Sequence, residues 1–341
     1  MNLQPEALPS VMSRIKILSG MDISERRIPQ DGRIQMIIMD KPIDFRVNTI
    51  PTAWGEKACL RILDKSNVNV ALDQMGFTPT NFAMIKKAIG SPNGMCLVTG
   101  PTGSGKTTTL YSCLNAIKGP DLNICTVENP VEYKLKFINQ VQVRPEIELN
   151  FSTVLRAFLR QDPDVIMLGE IRDEETAGIA VEAALTGHLV FATLHTNDAP
   201  GAVTRLLDLG VAPYLVGASL IGVLAQRLVR KICPNCKEQF TPALSIRRAV
   251  ETWTGSLPNF YRGIGCKKCR NTGYIGRIAI HELFIPTDHI LERITQGATL
   301  KELRAAAVEN GMKPLHIDGI DKVAAGITTI DEILRVANVS E

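Results

Sequence analysis

Gly100, Gly105, Lys106 and Thr107 stand at the spacing G-x-x-x-x-G-K-[ST], the pattern of a loop that wraps phosphate with its backbone N–H groups. An apolar run at 95–98 precedes the loop as a buried strand should. Leu110, Leu114 and Ile117 follow it at helical spacing. Gly100, Gly103 and Gly105 free the backbone for the turn, and the following helix N-terminus favours negative charge. The whole segment Gly100, Pro101, Thr102, Gly103, Ser104, Gly105, Lys106, Thr107 and Thr108 is therefore the expected cradle of a nucleoside triphosphate such as ATP. Lys106 would reach the β- and γ-phosphates, and the Thr107 hydroxyl would serve Mg2+.

Hydrolysis needs carboxylates beyond that loop, and two predicted strand ends supply them. Glu170 closes the apolar run 165–168, where a metal-facing (Walker B) acid sits at the carboxyl edge of a parallel sheet; its bland reading is a helix-capping charge. The predicted strand 124–127 ends in Glu128-Asn129-Pro130-Val131-Glu132, and either glutamate is a candidate to polarise water. His188 and His195 bracket the apolar run 189–194. The second stands at a carboxyl strand end, within reach of a γ-phosphate.

Cys233, Cys236, Cys266 and Cys269 form two C-x-x-C knuckles, the arrangement of a closed four-cysteine zinc site whose metal folds a subdomain. The other cysteines, Cys59, Cys96, Cys113 and Cys125, lie among apolar neighbours and read as small buried hydrophobes. No secretion signal opens the chain, so disulfides are not expected. Arg227, Arg230, Lys231, Lys267, Lys268 and Arg270 cluster around the knuckles; a solvated face, an acidic partner and an anionic membrane surface all remain open for them.

The elements that must position these groups follow from the pattern. With 341 residues, 45% hydrophobic and 21% charged, the chain is a multi-domain globular protein. A net charge of +3 and the lack of an aromatic–basic stripe argue against nucleic acid. The longest apolar stretch, 211–225, is too short for a membrane span and reads as a core helix of a cytoplasmic protein. Strands are predicted at 33–39 and 43–50, joined by a turn at 40–42. A linker is predicted at 64–69, with a turn at 76–79. Then strand and helix alternate: strands at 141–143 and those named above, helices at 152–160 and from an Asp173 cap to Leu185. That alternation predicts an α/β fold, a parallel sheet with helices on both faces. Thr299-Leu300-Lys301-Glu302 and Thr329-Ile330-Asp331-Glu332 read as capping boxes of a helical C-terminal part. The expected division is an N-terminal α+β domain at 1–72, an ATPase core at 76–231, a zinc subdomain at 232–275 and a mainly helical part at 276–341.

Taken together, the chain resembles the hexameric secretion ATPases, the assembly motors of type II secretion systems and type IV pili. The likeness rests on residues 21–33 (MDISERRIPQDGR), Arg46-Val47-Asn48-Thr49, Gly55-Glu56-Lys57, the phosphate loop and Arg160-Gln161-Asp162-Pro163-Asp164. It continues through Gly169-Glu170-Ile171-Arg172-Asp173, Thr186-Gly187-His188, residues 193–198 (TLHTND), Ala225-Gln226-Arg227-Leu228 and Gly276-Arg277. The resemblance implies a RecA-like P-loop NTPase core, Glu132 as catalytic glutamate, Glu170 as Walker B acid and His188 and His195 as a histidine box. It also implies that Arg46 and Arg61 approach nucleotide held by an adjacent subunit. A homo-hexamer on the inner membrane, an inner-membrane platform protein and associated assembly proteins as partners, and ATP, Mg2+ and Zn2+ as cofactors go with it. The four cysteines resemble the assembly motors and not the retraction motors. Asn129 replaces the aspartate common in the family, and the family's further upstream strands and docking domain make a partial N-terminal domain the expectation. A retraction motor, a RecA-like DNA translocase and a non-hydrolysing regulator are the competing readings.

Overall fold

The computed structural model describes residues 4–64 and 70–337, in two compact units, Met1–Asn69 and Val70–Glu341. Most of the predicted linker at 64–69 lies outside the described residues. In the first unit, helix α1 (Leu8–Ser19) stops at Gly20, whose φ of 72° is open to glycine and costly for other residues. Strands β1 (Gln30–Ile38), β2 (Lys41–Thr52) and β3 (Gly55–Asp64) form an antiparallel meander with β2 in the centre. Met21, Ile34 and Val47 are buried with Ile15 of α1 and Phe45 against them. The turn is Met39-Asp40, both at positive φ, so Lys41 and Pro42 already belong to β2 and the predicted turn at 40–42 moves back one residue. Two left-handed residues match the twist of a tight hairpin. The strand β3 is absent from the sequence expectation, and its Cys59 is exposed rather than buried.

The second unit opens with α2 (Pro79–Ile89), which the Thr78 hydroxyl caps by accepting from Asn81 N–H, at the predicted turn. There follow β4 (Gly94–Thr99), α3 (Lys106–Ile117), β5 (Ile124–Glu128), β6 (Asn139–Gln142), α4 (Phe151–Phe158), β7 (Val165–Leu168), α5 (Glu174–Leu185) and β8 (Leu189–Leu194). Next are α6 (Pro200–Asp208), α7 (Pro213–Ser219), β9 (Leu220–Ile232), β10 (Lys237–Phe240), α8 (Leu244–Thr254), β11 (Phe260–Gly263) and β12 (Tyr274–Phe284). Helices α9 (Asp288–Thr295), α10 (Leu300–Glu309), α11 (Leu315–Ala324) and α12 (Ile330–Val336) complete the described chain.

A seven-stranded sheet of order β12-β9-β4-β8-β7-β5-β6 organises this unit; it is parallel except for the edge strand β12, antiparallel to β9. Successive strand residues go to opposite faces. Met95 and Leu97 join one apolar cluster with α4, α5 and α6, while Cys96 and Val98 join another with α2 and α3. The sheet is thus covered on both faces, as predicted.

Three expectations need correction here. The stretch 211–225 is not one core helix: α7 covers Pro213–Ser219 and the rest enters β9, buried between β4 and β12. A strand buried on both faces is apolar without a period, so pattern alone could not separate it from a helix. The part 276–341 contributes β12 to the main sheet before turning helical. Finally, Thr299 and Glu302 make a reciprocal capping box, but Glu332 does not return to Thr329. The Glu332 carboxylate instead takes the Arg230 N–H and guanidinium at 2.8 Å each and Arg335 at 2.9 and 3.0 Å. Against the upward push of burial, the bonds from Arg335 and Arg230 hold it at about 2.

Candidate active site

The loop between β4 and α3 lies at the carboxyl edge of the sheet. Gly100, Gly103 and Gly105 have φ of 146°, 81° and 93°, the region glycine alone enters freely. At Gly100 a Cβ would also lie 2.6 Å from Gln226 O and 2.7 Å from Ser104 Oγ, so the close approach itself demands glycine. Pro101 and Thr102 are exposed on the outside of the turn, and Thr107 and Thr108 are half-buried in the first turn of α3. Lys106 Nζ folds back onto Gly100 O at 2.7 Å and Pro101 O at 3.3 Å. Burial lowers its pKa, opposed by the charge of Glu170. The Ser104 hydroxyl is buried with no partner among the described residues. An orphan donor beside a lysine, glycine turns and a helix N-terminus is a cradle that fits a phosphate group.

Glu170 follows β7 on the same edge. One of its oxygens meets Arg172 at 2.5 Å and the other lies 3.9 Å from His195 Nε2. His195 follows β8; burial, and then the charge of Lys106, lower its pKa against the upward pull of Glu170, a shift toward the neutral ring. Loop lysine, carboxylate and histidine therefore converge at one rim.

Glu128 and Glu132 part company. Glu128 is buried at the end of β5, and its carboxylate accepts from Tyr111 Oη, from Thr126 Oγ1 at 2.6 Å and from Gln140 Nε2 at 3.0 Å. Glu132 lies in the half-buried loop beyond, next to Tyr133, whose ring stands edge-on to that of Tyr111. His188 is not part of this convergence. It precedes β8 at the amino edge, its Nδ1 2.9 Å from Ala183 O, and six strand residues put it about 20 Å from His195.

Sequence reasoning passed over two residues that shape the loop. Gln226 of β9 is fully buried, with Nε2 donating to Ser104 O at 2.8 Å and Oε1 accepting from Thr109 Oγ1 at 2.7 Å. Arg227 is buried beside it, bonded to Asn197 O at 2.8 Å, with burial lowering its pKa. The signal for Gln226 was membership of the 225–228 motif, and Arg227 stood there and in the basic cluster. The basic cluster consequently dissolves: Arg227 belongs to the nucleotide side and Arg230 stacks 4.1 Å over Tyr274, whereas Lys231, Lys267, Lys268 and Arg270 are exposed.

In the first unit, Arg46 pairs in register with Arg33 on one side and Arg61 on the other, a row of three arginines across the sheet. Asp44 pairs with Arg33. Like charges directly opposite one another need counter-charge in a sheet, and Asp44, two residues from Arg46 on the same face of β2, supplies it to Arg33.

The four knuckle sulfurs lie within 4.8 Å of one another, with Cys233–Cys266 and Cys236–Cys269 at 3.8 Å and Cys266–Cys269 at 3.7 Å. A tetrahedron of Zn–S bonds of about 2.3 Å has edges of about 3.8 Å, so the donor set fits zinc. Backbone N–H groups of Cys266 and Gly273 also point at Cys269 Sγ, at 3.1 and 3.3 Å.

A glycine-rich loop leading from a central parallel strand into a helix, with an acid and a histidine at the same rim, defines an α/β protein with the P-loop NTPase fold. The chain belongs to the type II/IV secretion system protein family, which matches residues 2–335. It is 50% identical over 332 residues to the type IV pilus assembly ATPase PilB of Myxococcus xanthus, covering 95% of this chain and 58% of that protein. It is 50% identical over 327 residues to the type II secretion system protein HxcR of Pseudomonas aeruginosa, covering 96% and 66%. The chain thus spans about three-fifths of the length of these relatives. Among solved structures, the pilus retraction motor PilT with bound ADP superposes with a TM-score of 0.66 at 27% identity, over 92% of this chain and 78% of that one. The ATPase DotB of Legionella pneumophila, at 22% identity and a TM-score of 0.69 over 98% and 84%, shares the fold.

Proposed function

We propose that the chain is an ATP-hydrolysing motor that drives assembly of pilin or pseudopilin filaments in type IV pilus extension or type II secretion. The observation that carries this reading is 50% identity to an assembly ATPase over 95% of the chain, combined with the convergence of Lys106, Glu170 and His195 at one rim. The intact cysteine cluster supports assembly over retraction, and identity to the retraction motor is lower, at 27%.

In this reading the loop N–H groups of 100–108, with Lys106, hold the β- and γ-phosphates. Thr107 and Glu170 hold Mg2+, which offsets phosphate charge. Glu132 orients the attacking water, and His195 bonds the γ-phosphate region. Arg46 and Arg61 reach the nucleotide of an adjacent copy in a hexameric ring, where a guanidinium offsets γ-phosphate charge. The cysteine cluster binds one structural Zn2+ within a subdomain at 232–275, between the core at 76–231 and the part at 276–341; residues 1–72 form the N-terminal α+β domain. The ring works at the cytoplasmic face of the inner membrane on a platform protein and associated assembly proteins. None of the helices in the described residues is long and apolar enough to cross a membrane.

Steady-state ATP hydrolysis measured against protein concentration, with Glu170→Gln and Arg46→Ala beside the parent, tests this. Specific activity should rise with assembly and fall in both variants. A specific rate independent of oligomerisation, or an Arg46→Ala rate equal to the parent's, refutes the shared site.

A further inference from the structure

Tyr111 sits five residues into α3, about 7.5 Å along the helix from Lys106, and its side chain is fully buried. Its hydroxyl donates to Glu128 and lies 3.4 Å from Gln140 Nε2. Gln140 ties the same loop at two further points, donating to Tyr133 O at 3.2 Å and accepting Leu135 N–H at 2.6 Å. Tyr133 closes the cluster with its ring edge-on to that of Tyr111, centroids 4.7 Å apart. A short buried network therefore fixes the loop 129–140 to the phosphate-loop helix at one end and to β5 and β6 at the other.

Networks of this kind are strong only when every member is satisfied. Here the buried Glu128 carboxylate takes three donors, from the buried Tyr111 and Thr126 and the half-buried Gln140, so both of its oxygens are engaged. A base that activates water must instead present an oxygen to it. We infer that Tyr111, Glu128 and Gln140 are positioning residues for Glu132, setting its backbone from the helix that carries the phosphate loop, and that Glu128 does not itself activate water. The inference rests on the reading of Glu132 as the water-orienting carboxylate. Its consequence is that any shift of α3 on phosphate binding is passed through Tyr111 to Glu128, Gln140 and Tyr133, and so to the loop that carries Glu132.

Tyr111→Phe removes that hydroxyl and keeps the ring and its stacking. kcat for ATP should fall about 10- to 100-fold, the loss expected of a misplaced reactive group, with KM within about twofold. In a Glu132→Gln background the same substitution should cost nothing more, because the group it positions is already gone. Glu128→Gln, which keeps the shape, should lower kcat in the same direction and guards against a Tyr111→Phe chain that does not fold. The inference is overturned by an unchanged kcat, by a KM that rises in step with the loss, or by a further loss in the Glu132→Gln background. The parent and Glu170→Gln are assayed alongside. A parent no faster than Glu170→Gln ends the motor reading and this inference together; an active parent with unaffected Tyr111→Phe and Glu128→Gln ends the inference alone.

Discussion

The Gln226 amide offers a measurable link between the sheet and the phosphate loop. Gln226→Met keeps the length and bulk of the side chain and deletes both of its bonds, Nε2 to Ser104 O at 2.8 Å and Oε1 from Thr109 Oγ1 at 2.7 Å. The two losses are unequal. Thr109 Oγ1 already lies 3.3 Å from Gly105 O and can turn to it, so that hydroxyl stays satisfied. The Ser104 carbonyl has no such substitute, and leaving a buried acceptor unmade costs about 1–3 kcal/mol. That corresponds to roughly a 5- to 150-fold fall in the population of the intact loop. Urea unfolding should show the stability loss, and titration with a fluorescent ATP analogue should show Kd raised by several-fold or more. Thr109→Val, which removes only the replaceable bond, should cost less than about 1 kcal/mol. If Gln226→Met matches the parent in both unfolding free energy and Kd, the clamp contributes nothing and the account of the loop is wrong.

Two further outcomes follow from buried groups. One zinc per chain should co-purify and be lost in Cys269→Ser; chelation should open the segment 233–273 to protease, since structural zinc is worth about 10–16 kcal/mol in small folds. A metal-free chain with an unchanged cleavage pattern contradicts this. His281 of β12 is buried against Phe77, centroids 4.1 Å apart, with neither ring nitrogen hydrogen-bonded among the described residues, and burial, then the Lys322 charge of the buried Asp318–Lys322 pair, push its pKa to about 3. Because the unfolded ring titrates near 6.5, the unfolded state binds the extra proton and stability falls as pH drops below that value. Between pH 7 and 5 the parent should lose about 2 kcal/mol more than His281→Phe, and parallel pH profiles for the two would disprove the assignment.

The phosphate loop, strands β7 and β8 and the Asp173 cap were legible because each depends on local rules: glycine φ, strand end and helix start. What escaped was set by distant neighbours. Glu332 has capping-box spacing, yet two arginines outcompete the Thr329 N–H for its carboxylate. Cys59 sits among apolar neighbours in sequence but lies on β3 in register with Asn48, on the face of the arginine row, so alternation leaves it exposed. His188 and His195 look like a pair because they bracket one strand, and that same strand holds them apart. On local pattern alone Glu128 and Glu132 are equal candidates, and what separates them is the set of donors around Glu128, which come from α3, β5 and β6.

Strands β9 and β12 are antiparallel partners from Val223 and Phe284 up to Ile232 and Tyr274. Everything between leaves and re-enters the sheet at one point, where Cys233 N–H bonds Gly273 O at 2.9 Å. In topological terms the cysteine-bearing module is an oversized hairpin tip. Its length can therefore change without rethreading the strands on either side, while Val250 and Phe260 anchor it to the main core.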